Sequence, residues 1–227
     1  MPVLTEDDVR KMIAHENIKA KDDFYISNKQ IITPSARAYL LEKNINLKIR
    51  EHKEDDSVKP EHMTHLRGNT LVFKDHPRIA FRGAIDSLES EIILVQVLSE
   101  KSKLLKFIDD LEEIVRFIRL LLRCEVVGEP LGDFKLQGLT PQEIREHSHH
   151  PSKYYGISHF LPGYKQGELP AQINRLRTKV REVELIAYKA FKNEDGKNDR
   201  EDIIKALNRL SSLFWIMMFK YLSGQYN

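Results

Sequence analysis

Leu104, Ile108, Leu111, Val115, Ile118 and Leu122 are spaced by alternating fours and threes. At 3.6 residues per turn this rhythm draws one apolar stripe down a helix for more than two heptads, and so long a stripe has to be packed against other helices. Gly128 and Pro130 end the run. From Ala84 onward a neighbouring helix is marked by Ile85, Leu88, Ile92 and Val95. Two long helices finish the chain, about Gln166 to Asn193 and about Asp199 to Gly224. The inner face of the last is Ile203, Leu207, Leu210, Phe214, Met217 and Tyr221. Thr140-Pro141-Gln142-Glu143 opens a shorter capped helix between them.

Residues 1 to about 50 have a different texture. Thr5 and Asp8 have capping-box-like spacing before a short helix with Val9, Met12 and Ile13 on one side. Phe24-Tyr25-Ile26 and Gln30-Ile31-Ile32 read as extended. Thr33-Pro34 caps a second helix, Ser35 to Lys43, ending before Asn44. Residues 51–60 are charged and unpatterned, as in a linker. The expected division is a small module with its linker, 1–55, and a helical domain, 56–227.

Composition removes several function classes. The net charge is only +2 over 227 residues, with both signs mixed throughout, so the chain has no general attraction for nucleic acid. Cys124 is the only cysteine, which rules out a disulfide framework or a thiolate metal site built within one chain. The longest apolar run, Leu213 to Phe219, is far too short to span a bilayer, and the chain reads as cytosolic and soluble.

Chemistry has to be sought locally. Arg177, Arg181 and Glu184 recur at i, i+4 and i+7 and stack on one helix face. Leu176, Val180, Val183, Ala187 and Ala190 run beside them as a stripe that must be packed. The charged row therefore borders buried surface, and reads either as a solvated face or as a grip for a polyphosphate or a neighbouring carboxylate. Residues 60–82 mix Gly, Asn, Thr and basic residues, as an anion-wrapping loop needs, but no Gly-Lys-Ser or Gly-Lys-Thr makes it a P-loop. His147, His149 and His150 are the densest of nine histidines. Their spacing is a weak metal signal, and His62 with His65 lacks a third ligand. Asn208 stands out as an amide in an apolar helix that needs partners.

In order and spacing these segments resemble the corrinoid (cobalamin) adenosyltransferases of the ethanolamine-utilisation type. Lys74-Asp75-His76-Pro77-Arg78-Ile79 followed by Asp86-Ser87-Leu88-Glu89 resembles that family's nucleotide-loop exit and first bundle helix. Arg177, Arg181 and Glu184 fall on its Arg-x-x-x-Arg-x-x-Glu signature, and Asn208-Arg209-Leu210-Ser211 on its Asn-Arg-Leu-Ser element. Leu161-Pro162-Gly163 is similar to the loop that faces the corrin ring, and Thr33-Pro34-Ser35-Ala36-Arg37 to the ethanolamine-linked branch. The chain departs from the family in having Met63 to Thr70 where Thr-Arg-x-Gly-Asp is common, His159 where a Phe is expected, and Ser212 where an Asp is usual.

The resemblance implies an all-α fold, an antiparallel five-helix bundle with a small mixed N-terminal extension. It implies transfer of the 5′-deoxyadenosyl group of ATP to the cobalt of cob(I)alamin, with Mg²⁺ and release of tripolyphosphate. Arg181, Glu184 and Asn208 would be catalytic, and Thr64, His65, Arg67 and Lys74 would join Arg181 and Asn208 in binding ATP. His159, Phe160, Leu161 and Tyr164 would face cobalamin, while Asp86 and Arg177 would pair between subunits of a homotrimer. No protein-bound metal is expected, since the cysteine-rich motif of some ethanolamine-type members is missing. A corrinoid reductase and microcompartment proteins are the implied partners, in the cytoplasm or a bacterial microcompartment. The competing readings are a non-catalytic corrinoid or nucleotide carrier docking through residues 1 to about 50, and a histidine metal hydrolase.

Overall fold

A computed structural model describes residues 3–16, 18–27, 30–50, 59–193 and 195–226. The chain divides into two compact units, residues 1–58 and 59–227.

The first unit runs β1 (Val3–Leu4), α1 (Glu6–Glu16), β2 (Asp23–Ser27), β3 (Ile31–Ile32), α2 (Pro34–Glu42) and β4 (Asn46–Arg50). β1 pairs with β3 and β2 with β4, both in parallel. Thr5 and Asp8 exchange hydrogen bonds at the start of α1: the Thr5 amide donates to Asp8 Oδ2 (2.9 Å) and the Asp8 amide to Thr5 Oγ1 (3.3 Å). Thr33 Oγ1 accepts from the Ala36 amide at the start of α2, where Pro34 sits at the first turn. Val9, Phe24, Ile26, Ile32, Ala36, Leu40 and Ile45 close a small core of their own. Strand β4 has no counterpart in the sequence reading, and the expected linker lies largely outside the described residues.

The second unit opens on a hairpin, β5 (Met63–Arg67) with β6 (Thr70–Phe73), turning through Gly68 at φ +51°. It continues with α3 (Pro77–Glu100), α4 (Leu105–Val127), α5 (Pro141–His149), α6 (Pro151–Tyr155), a 3-10 turn at Tyr164–Gln166, α7 (Glu168–Phe191) and α8 (Glu201–Leu222). Two expectations are corrected here. Residues 60–82 are not a loop but largely hairpin and helix. The first bundle helix starts at Pro77 rather than Ala84, because His76 Nδ1 accepts the Arg78 amide (3.1 Å) and Pro77 is set for the first turn.

Side chains on the long helices fix their directions. Arg119 on α4 meets Glu89 on α3 at 2.6 Å, and Gln96 reaches Glu112 at 3.2 Å, so residue numbers run oppositely along the pair. Arg175 on α7 meets Glu91 at 2.7 Å while Phe191 packs edge-on against Phe81, again antiparallel. Asn208 on α8 bonds Glu184 on α7 at 3.0 Å, and Lys220 lies 3.6 Å from Asp110 on α4 while Arg200 reaches the Cys124 carbonyl. Helices α3, α4, α8 and α7 thus form a ring of antiparallel neighbours, and α5 packs on α8 as the fifth helix.

One apolar core fills this ring. On α4 the buried face is broader than the expected stripe. Phe107, Ile114, Phe117 and Leu121 are buried beside Leu111, Val115 and Ile118, whereas Leu104, Ile108 and Leu122 are half-buried at its edge. On α8 the expected positions 203, 207, 210, 214 and 217 are buried and Tyr221 is half-buried, and Ala206, Leu213, Ile216, Met218 and Phe219 join the buried face. That helix is enclosed on most sides, so truncating Leu210 to Ala would cost about 2–5 kcal/mol.

Candidate functional site

The buried stripe of α7, with Leu176, Val180, Val183 and Ala187 fully enclosed, turns the row Arg177, Arg181 and Glu184 toward the outer seam between α7 and α8. From α8, Asn208, Arg209 and Trp215 enter the same seam. Asn208 Nδ2 donates to Glu184 Oε1 (3.0 Å), and its Oδ1 accepts from Arg209 Nη2 (2.9 Å). Arg177 lays its guanidinium over the Trp215 ring, 5.3 Å from the centroid, and donates from Nε to Asn174 Oδ1 (3.2 Å). Burial first, and then the neighbouring Arg181, push the Arg177 pKa down. Arg181 is exposed and makes no hydrogen bond or ion pair among the described residues. The seam therefore holds three arginines around one carboxylate, a surplus of positive charge suited to an anion.

Trp215 also joins this cluster to the aromatic loop. Phe160 packs on Trp215 (5.1 Å between centroids) and edge-on against Phe219 (5.2 Å), and His159 stacks beside Trp215 while its Nε2 bonds the His149 carbonyl. Leu161 and Tyr164 point outward, 90% and 86% exposed. Large apolar side chains left this open, next to a polar cluster, can form one wall of a site for a flat ligand. A pocket of about 140 Å³ lies alongside, lined by Pro162, Gly163, Asn174 and Met218 among others.

The hairpin residues stand elsewhere. Thr64 is half-buried opposite Val72, His65 is exposed opposite Leu71, and Lys74 lies 4.0 Å from Glu61. Arg67 Nη2 donates to the Val127 carbonyl, so this guanidinium caps the C-terminus of α4. Beneath it, Arg82 donates to the Leu66 carbonyl (2.8 Å) and to Glu125 Oε2 (2.7 Å). Glu125, 1% exposed, also has Arg78 at 3.7 Å. A carboxylate so deep depends on its arginine, and losing Arg82 would cost about 3–5 kcal/mol. No hydrogen bond or ion pair joins the hairpin residues to Arg181, Glu184 or Asn208 among the described residues. Asp86 is exposed on α3 and likewise makes no pair with Arg177 within the chain.

The candidate residues thus gather as Arg177, Arg181, Glu184 and Asn208, linked through Trp215 to His159 and Phe160. Sequence reasoning passed over Trp215 and named Arg209 only as part of the Asn-Arg-Leu-Ser element, without a role. The signal for Trp215 was available: it lies seven residues after Asn208, on the same face of α8. The Arg82–Glu125 pair, 43 positions apart in sequence, had none. His147, His149 and His150 do not converge on an ion, and no group of three or more His, Cys, Asp or Glu is placed to hold a metal among the described residues.

The model of the family described as "Cobalamin adenosyltransferase" matches residues 57–221, the hairpin and the bundle together. The chain belongs to the cobalamin adenosyltransferase family. Within it, the chain is 34% identical over 168 residues to the corrinoid adenosyltransferase EutT of Escherichia coli, and 35% identical over 161 residues to EutT of Salmonella typhimurium. These alignments take in 74% and 70% of this chain, but only 61% and 58% of the relatives' own length. Among solved structures, two variants of the PduO-type ATP:corrinoid adenosyltransferase of Lactobacillus reuteri share the bundle. One, complexed with cobalamin and ATP, has a TM-score of 0.54 at 21% identity, covering 72% of this chain and 91% of that one. The other, complexed with ATP, has a TM-score of 0.53 at 20% identity, covering 71% and 89%. The family match leaves out the N-terminal unit up to residue 56, which forms a compact unit of its own.

Proposed function

We propose that this cobalamin adenosyltransferase moves the 5′-deoxyadenosyl group of ATP onto the cobalt of a reduced corrinoid and releases tripolyphosphate. The observation that carries the reading is the Asn208–Glu184 bond set among Arg177, Arg181 and Arg209, and joined by Trp215 to the Phe160 wall. In the reaction the cobalt(I) electron pair forms a bond to C5′, and the C5′–O bond breaks with its electrons leaving on the triphosphate. The metal is already a strong nucleophile, so the protein supplies no general base. Its work is to align the reactants, receive the leaving charge and keep water away.

Arg181 serves the triphosphate because it has no partner among the described residues and offers directional donors. Glu184 Oε1 is taken by Asn208 while Oε2 accepts nothing from the described residues, and that free oxygen suits Mg²⁺ or one of its waters. Bound there, Mg²⁺ would share the phosphate charge. Asn208 holds the nucleoside, and His159, Phe160, Leu161 and Tyr164 give the corrin an apolar face. Thr64, His65, Arg67 and Lys74 close over the nucleotide from the hairpin of an adjoining subunit in a homotrimer, whose contact pairs Asp86 with Arg177. The likeness to EutT supports a place in ethanolamine utilisation; a corrinoid reductase as partner and a site in the cytoplasm or a microcompartment belong to the same proposal.

An anaerobic spectral assay with chemically reduced cobalamin and ATP tests this. The wild type is expected to accumulate adenosylcobalamin, and Arg181→Ala to lower kcat/KM by about 100-fold or more with an unchanged circular dichroism spectrum. Binding of corrinoid without formation of a cobalt–carbon bond by the wild type would replace the enzyme with a carrier.

A further inference from the structure

We infer that Arg209 is a positioning residue that acts through Asn208, locking its amide in the one orientation that can receive the nucleotide. This rests on the nucleotide role proposed for Asn208 and assigns a task to a side chain that has had none.

The argument begins with donors and acceptors. A carboxylate can only accept hydrogen bonds, and a guanidinium can only donate them. Asn208 lies between one of each, with Nδ2 on Glu184 Oε1 at 3.0 Å and Oδ1 on Arg209 Nη2 at 2.9 Å. Flipping the amide would point its carbonyl at a carboxylate and its NH₂ at a guanidinium, and both contacts would become repulsive. The pair leaves one N–H and one lone pair on Asn208 for a ligand, in a fixed sense. Arg209 is also half-buried on α8 without a carboxylate partner of its own, so forming an ion pair is not its purpose. Burial first, and then Arg145 on α5, weigh against its charge, while Glu184 favours it from beyond hydrogen-bond reach. A half-buried cation held near another arginine is costly, and the bond to Asn208 is the one hydrogen bond its guanidinium makes among the described residues.

A double-mutant cycle on the full chain, read by calorimetric ATP affinity and by single-turnover rate, decides the matter. Arg209→Met keeps the stem that packs and removes the donors. It is expected to weaken ATP about tenfold, and Arg209→Lys to recover to within about threefold, because an ammonium can still donate to Oδ1. In the Asn208→Ala background, Arg209→Met should change nothing further. Additive losses, or a loss in Arg209→Met that grows steeply at low salt, would make Arg209 a direct phosphate ligand and overturn the proposal. So would a Lys variant as weak as Met with a lowered melting temperature. A wild type that binds ATP but transfers no adenosyl group would overturn the function and leave the cycle readable; a wild type that does not bind ATP would overturn both.

Discussion

His147 shows how much one side chain can carry. Its Nδ1 lies 2.9 Å from the Tyr155 hydroxyl, and its ring stacks on Tyr154 with centroids 3.6 Å apart. Burial pushes the His147 pKa below the usual imidazole range, opposed by Glu146 and Glu143 and reinforced by Lys153 and Lys220. Burial likewise raises Tyr155 to about 12, so its hydroxyl stays protonated. The unfolded chain takes up a proton near pH 6.5 and the folded chain only at lower pH, so in that window the unfolded state binds more protons. The stability His147 contributes is therefore complete above about pH 6.5, and is lost as pH falls through the folded value. Thermal melts at about pH 7.5 and about pH 5.5 should show the advantage of the wild type over His147→Gln shrinking at the lower pH. A gap independent of pH would remove His147 from the account. Tyr155 also stacks on Phe219, which holds Phe160, so the histidine cluster that looked like a weak metal signal in sequence supports the aromatic wall. Sequence supplied the residue types, but stacking and burial are three-dimensional facts.

Among the elements, the end of α4 is the most constrained. Gly128 takes the left-handed conformation at φ +80°, and a Cβ there would lie 2.6 Å from Arg67 Nη1. Gly128→Ala should therefore cost about 1–3 kcal/mol in chemical denaturation and release the hairpin, detectable as faster amide exchange in Met63–Arg67. A neutral substitution with unchanged exchange would show that the hairpin does not depend on this cap. The end of α4 was legible from Gly128 and Pro130, and α7 and α8 from their apolar period, because local backbone chemistry and burial agree there. The hairpin was not legible. Its strands are mostly exposed, and it is tied down by Arg82 to Leu66 and Arg67 to Val127, contacts that span 16 and 60 positions. The early turns of α3 were missed for a related reason: Phe81 is buried one turn before Ile85, but His76 as an N-cap is an uncommon choice.

For the whole molecule, Asp86, which has no side-chain partner among the described residues, and the half-buried Arg177 bear on the proposed assembly. Asp86→Lys should shift sedimentation toward smaller species, and adding Arg177→Glu should restore part of the assembly. A stable wild-type monomer with full transfer activity would overturn the subunit pairing. The order of motifs along the chain made the family readable before any helix was placed. That Thr64, His65, Arg67 and Lys74 stand apart from the seam residues within the chain was not readable, because motif order does not give the distance between motifs in the fold. Helix α8 adds a consequence of a different kind. It is the most enclosed helix of the ring and comes after the others. During synthesis α3, α4 and α7 therefore emerge before α8 does, and their apolar faces stay uncovered until that helix joins them.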